Sequence, residues 1–180
     1  LFASNAISLH SVYDGWDSYQ TSLVHDIAPL TPEQLAWRTN PELRSVGEIA
    51  LHITFRRIGW FHNMGAPGSA GLIGQTALLD SQGMIARNTV HLVKWLEASW
   101  QMIENTLDQW SVADLTRTYR LDYQGKTYNE SRQWTIWRIL SHDIHHGGQL
   151  AIMLGMQGID IPELGDQGGH LTLPPLAVPG

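Results

Sequence analysis

Four stretches of this sequence place apolar residues three and four apart, and that periodicity constrains the fold more than any other feature. From about Asn5 to Ala28, the residues Leu9, Val12, Trp16, Tyr19, Leu23 and Ile27 share one helical stripe. A second stripe, Ile49, Ile53 and Trp60, runs from about Ser45 to Met64. A third carries Ile85, Thr89, Val93, Leu96, Trp100, Ile103 and Leu107 between about Asp80 and Leu107. A fourth, from about Ser131 to Gln157, carries Ile136, Ile139, Leu140, Ile144, Leu150, Met153 and Leu154. Such helices bury their stripes against one another, so the expected fold is all-α, a four-helix bundle.

Punctuation between the stripes agrees with this division. Pro29 and Thr31-Pro32 end the first helix, and Thr31 with Gln34 can cap a short turn. Ser45 followed by Glu48 has capping-box spacing at the start of the second. Gly65 to Gly71 reads as an exposed connection or flexible lid. The alternation Thr118-Tyr119-Arg120-Leu121-Asp122-Tyr123 before Gly125 predicts a short β-hairpin between helices three and four. Residues 161–180 have no helical period and several prolines and glycines, which predicts an irregular tail. At 180 residues, the chain fits a single domain spanning 1–180.

Charge and cysteine content narrow the function. With 11 Lys+Arg against 17 Asp+Glu, and no basic run, the surface does not suit a phosphate backbone, so no nucleic-acid partner is expected. No apolar run approaches the roughly 20 residues that span a bilayer, and the N-terminus lacks a signal-peptide pattern, so the expectation is a cytoplasmic protein without a membrane partner. There is no cysteine. Thiolate metal sites and a cysteine nucleophile are thereby excluded, and any metal must be held by imidazole, carboxylate or water.

The string Ser141-His142-Asp143-Ile144-His145-His146-Gly147-Gly148-Gln149 holds the chemistry. Residues four apart on a helix differ by only about 40° around the axis, so His142 and His146 face the same way and can share one ion. His145 is in reach by i,i+3 spacing. A lone histidine is more often a surface or hydrogen-bonded core residue, but three within five residues favour a ligand role. His52 sits among apolar neighbours, where an uncompensated imidazole is costly, so it requires a metal or a hydrogen-bond partner. His62 sits near the exposed end of that helix.

Three segments together resemble the DinB/YfiT-like superfamily: Leu30-Thr31-Pro32-Glu33-Gln34-Leu35, Ser45-Val46-Gly47-Glu48-Ile49-Ala50-Leu51-His52-Ile53, and His142-Asp143-Ile144-His145-His146-Gly147-Gly148-Gln149-Leu150. The resemblance covers most of the chain in order and spacing. It implies a four-helix bundle, often a homodimer, in which three histidines hold a divalent metal; on this sequence they map to His52, His142 and His146. The sequence departs from the commoner pattern at Gly147, where a basic residue often precedes the Gly-Gln, so a charge near the site is lost. A glycine pair inside a helix is locally unfavourable, which predicts close packing there against another helix, across a dimer interface as one option.

Three imidazoles leave an open coordination position, as in catalytic sites. Zinc and nickel are the first expectations, with iron, cobalt, manganese and copper as alternatives. The resemblance implies a metal-dependent S-transferase or isomerase using a low-molecular-weight thiol, which would arrive as a cofactor beside a small-molecule substrate. The alternatives are metal-assisted hydrolysis, with Asp143 the nearest carboxylate in sequence, and a metal- or ligand-binding protein without turnover. Asp143 lies about 100° around the helix from His142, so it either orients a ligand imidazole or faces away. Arg138 reads as a surface or salt-bridge residue, Gln149 as a structural hydrogen-bond partner, and either can contact a substrate. Trp60, Trp134 and Trp137 read as core or pocket-lining residues.

Overall fold

The apolar stripes do assemble as helices, in a computed structural model that describes residues 8–79 and 85–171. In chain order the elements are α1 (Leu9–Val12), α2 (Trp16–Ile27), α3 (Pro32–Ala36), α4 (Val46–Asn63), α5 (Ser69–Leu79), a 3-10 turn (Ile85–Arg87) and α6 (Thr89–Gln109). A second 3-10 turn (Val112–Thr116), β1 (Thr118–Tyr123), β2 (Lys126–Ser131), α7 (Arg132–Met156) and α8 (Pro162–Gly165) complete the order. The long helices α2, α4, α6 and α7 form the bundle. Helix α4 is central to it, packing on both α6 and α7, and α2 packs on α6. Leu23, Ile53, Phe61, Leu96, Ile103, Ile136 and Leu154 contribute to one core. Each such side chain withdrawn from water contributes about 1.5–3 kcal/mol before entropy is counted.

The sequence-marked caps are in place. Thr31 with Gln34, and Ser45 with Glu48, form reciprocal capping boxes that satisfy amides of the first turns of α3 and α4. The hairpin is also present, with Thr118 paired to Ser131 and Tyr123 to Lys126. Its turn residues Gln124 and Gly125 both have positive φ, the geometry that matches the twist of a two-residue hairpin. Strand β2 runs on to Ser131, whose hydroxyl accepts the Trp134 amide and starts α7 at Arg132.

Four expectations need correction. The first helix is not continuous: Gly15, in the left-handed region at φ 93°, separates α1 from α2 and re-aims Trp16. The stretch from Gly65 to Gly71 is not a flexible lid. Gly65 and Gly68 make a tight turn at positive φ, the buried Ser69 hydroxyl donates to the Ala66 carbonyl at 2.6 Å, and α5 begins there. The third helix begins at Thr89, where the Asn88 side chain accepts the His91 amide, and Ile85 lies in the 3-10 turn before it; the expected start at Asp80 lies outside the described residues, as does Asn5. The tail contains one helical turn, α8, which packs on α2 and α7 through the buried Leu164, whereas residues 172–180 lie outside the described residues.

Gly47 shows how tightly α4 is seated. A Cβ there would stand 1.7 Å from the Ala86 carbonyl oxygen, a backbone atom that cannot swing aside, whereas one at Gly59 would meet nothing within 4 Å. Gly47→Ala is therefore expected to destabilise the fold by about 2 kcal/mol or more, and Gly59→Ala to stabilise it by up to about 1 kcal/mol through helix propensity. Urea unfolding of both variants tests the contrast; equal midpoints would refute this account of the packing.

Candidate metal centre

Two helices supply the centre. His52 projects from α4, and His142 and His146 project one turn apart from α7. Their ligand nitrogens all lie within 4.8 Å of one another, and among the described residues these three form the group able to hold an ion. The Nε2 atoms of His52 and His142 are 3.2 Å apart. Two nitrogens each about 2.05 Å from a tetrahedral zinc would be separated by about 3.3 Å, so this edge already has the spacing of a metal site. The ring centroids are 4.3 Å apart for His142–His146 and 4.8 Å for His52–His146. The donor set, all imidazole, suits a borderline divalent ion.

Neighbouring groups select the ligand nitrogen. His146 Nδ1–H donates to Gln149 Oε1 at 2.7 Å, which leaves Nε2 with its lone pair free. Gln149 thus has the structural role read from its position, and its Nε2 lies 3.3 Å from His145 Nε2. His142 Nδ1 is 3.9 Å from Asp143 Oδ1, too far for a hydrogen bond, and both atoms are buried without a hydrogen-bond partner among the described residues. Burial holds His52 far below its ordinary value of 6.5, at about 3, with the Arg44 charge and the other two imidazoles acting in the same direction. Burial likewise lowers His146, against the opposing pull of its Gln149 hydrogen bond. Imidazoles that resist protonation are in the form that binds metal.

Behind the triad lies a polar network that sequence reasoning missed. Asp143 is fully buried; its Oδ2 accepts from Arg57 Nε at 2.8 Å and from Trp16 Nε1 at 3.0 Å. Arg57, also fully buried, donates from Nη1 to Gln20 Oε1 at 2.5 Å, and the Tyr19 hydroxyl donates to the Asp143 carbonyl. The available signal was Arg57 itself, a charged residue spaced four from both Ile53 and Phe61 on an apolar stripe. Asp143 is therefore turned into the bundle and held by Arg57 and Trp16.

Gly147 belongs to this network, not to the metal side. A Cβ there would stand 1.8 Å from the Tyr19 hydroxyl, so the close packing expected of the glycine pair occurs within the chain, against α2. Gly148 has open space. His145 and His62 are exposed and outside the triad. Arg138 makes no salt bridge among the described residues; its guanidinium lies 5.0 Å and 5.1 Å from the Trp60 and Trp134 rings, which line a separate cavity of about 190 Å³. Trp137 is 62% exposed, so it is not a core residue.

Space for a small molecule lies beside the imidazoles. His52 lines a cavity of about 370 Å³ with Arg44, Glu48, Leu51, Phe55 and Arg56. Gln149 lines another of about 260 Å³, and Arg44 belongs to both. No helix among the described residues is long and apolar enough to cross a membrane.

Two outcomes follow from this geometry. Arg57→Leu leaves the Asp143 carboxylate buried without its cation and is expected to destabilise by about 3–5 kcal/mol, much of it recovered in the double variant Arg57→Leu/Asp143→Leu; urea unfolding that finds the two equally unstable would contradict this. For His52, the unfolded chain takes up a proton near pH 6.5 and the folded one near 3. The metal-free protein should therefore keep its full stability above pH 6.5 and lose it as pH falls toward 3. In His52→Gln that decline should be shallower, and denaturation midpoints across the range that fall in parallel would count against the assignment.

Comparison with known proteins follows the same lines. A family model described as the DinB superfamily matches residues 17–150, which include all three histidines. The crystal structure of a DinB-like protein from Bacillus cereus ATCC 10987 superimposes with a TM-score of 0.65 at 16% sequence identity, covering 86% of this chain and 96% of that one. No curated protein matches the sequence. The helical stripes, the paired imidazoles and the family match coincide on the same residues, and the chain belongs to the DinB superfamily.

Proposed function

We propose that the protein is a metal-dependent enzyme of the thiol-dependent S-transferase or isomerase type, holding zinc or nickel through His52, His142 and His146. One observation carries this reading: three imidazoles converge from two helices beside a cavity of about 370 Å³, so a bound ion would have protein on one side and room for a ligand on the other. An ion held this way lowers the pKa of a coordinated thiol and so supplies a thiolate near neutral pH. The chain, having no cysteine, would receive that thiol with a small cofactor. Gln149 would hold His146 with Nε2 toward the ion, and Asp143, kept in place by Arg57, would lie beside His142 Nδ1.

The carboxylates near the triad give hydrolysis no free base, and the imidazole left for it is the exposed His145, whose ring lies 4.9 Å from that of His146. A metal-bound water needs a carboxylate or imidazole free to take its proton. Asp143 is committed to Arg57 and Trp16, and Glu48 on the cavity wall is committed to Arg38 at 2.7 Å and to the Ser45 amide at 2.8 Å.

Elemental analysis of untagged protein tests the proposal at its base. Wild type should carry about one zinc or nickel per chain, and His52→Ala, His142→Ala and His146→Ala should each lose it while keeping helical circular dichroism. Wild type that takes up no metal after incubation with either ion would overturn the reading. Metal-loaded protein that turns over no thiol adduct would leave a binding role.

A further inference from the structure

We infer that the small molecule taken by this centre carries an anionic group, a carboxylate in the first instance, and that Arg44 is the residue that selects for it. This assignment rests on the metal-centre reading and specifies the ligand of that same site. Three neutral imidazoles bring no negative charge to a divalent ion, so the full charge of a bound ion would face the cavity. The protein around it adds positive charge. Arg44 and Arg56 both line the cavity that His52 lines, and both are exposed. Among the described residues neither has a hydrogen bond or an ion pair. Glu48, the carboxylate on that wall, is already neutralised by Arg38.

Arg44 is the better placed of the two. It lies on the wall of both cavities, between the side lined by His52 and the side lined by Gln149. Arg56 lines only the cavity on the His52 side. In a chain whose formal net charge is −6, two unpaired arginines beside an all-imidazole donor set form a local field of the opposite sign. A planar guanidinium matches a carboxylate through two parallel hydrogen bonds. A ligand with a metal-binding atom at one end and a carboxylate at the other would use both features. The absence of a basic residue at Gly147 does not weaken this, because that position faces Tyr19 and not the cavity.

The test uses the cobalt(II)-loaded full chain, titrated with 3-mercaptopropionate and with its uncharged methyl ester, and followed by the thiolate-to-cobalt absorption band. The carboxylate of the acid can also reach the cobalt and raises the pKa of its own thiol, so the quantity that isolates recognition by the protein is the change in the acid-to-ester ratio between wild type and variant. Wild type should prefer the acid by about tenfold, the ratio should fall several-fold in Arg44→Ala and less in Arg44→Lys, which keeps the charge and loses the fork, and added salt should shrink it. A ratio near one in wild type, or one unchanged in Arg44→Ala, overturns the assignment. Cobalt content measured on the same samples separates the failures. Cobalt retained without a charge preference defeats the anion assignment alone, and cobalt not retained defeats the metal centre together with it.

Discussion

The buried ion pair between Arg57 and Asp143 is the constraint on which the rest of the structure depends. Two charges with no exposure to solvent are tolerated only where each is paired and hydrogen-bonded. Here the pair joins α4 to α7, the two helices that carry the triad, and Trp16, Tyr19 and Gln20 bring α2 to the same point. Sliding α7 along α4 by one turn would break the pair and separate His52 from His142 together. The network therefore fixes the helix register on which the imidazole spacing relies. It also accounts for the interruption at Gly15, which lets Trp16 reach Asp143, and for Gly147, which makes room for Tyr19.

From that register follows a division of labour across α7. One face, with Asp143 and Gly147, is buried and polar and serves the bundle; the next, with the half-buried His142 and the buried His146, meets His52 of α4. Asp143 spans the two, holding Arg57 on one oxygen and placing the other near His142 Nδ1. This carboxylate is thus structural and electrostatic at once. The same burial that makes the network demanding keeps His52 neutral, so the fold and the ligand capacity of the site share a physical cause.

Much of this was legible in the residues. Periodicity gave the four long helices, because a three-and-four stripe can be buried in few other ways. Thr31, Ser45 and Gly125 marked two caps and a hairpin, since capping and left-handed turns are local chemistry. Where local signals competed, the reading failed. Gly15 and Asn88 interrupt stripes that look continuous, and the glycines after Met64 were read as a loop although two of them only turn the chain into α5.

By itself, then, the sequence determined the four long helical stripes, the pairing of His142 with His146 one turn apart, and the candidacy of His52, because each depends on spacing along one element. Tertiary structure alone decided that His52 Nε2 meets His142 Nε2 at 3.2 Å, that Asp143 turns inward to Arg57, and that Arg44 stands between two cavities. Those contacts join residues 86 or more positions apart, or place a loop side chain over a helix pair. No periodicity encodes them. They follow from which helix faces are buried together, and that is fixed when the apolar stripes pack and the buried charges find their partners.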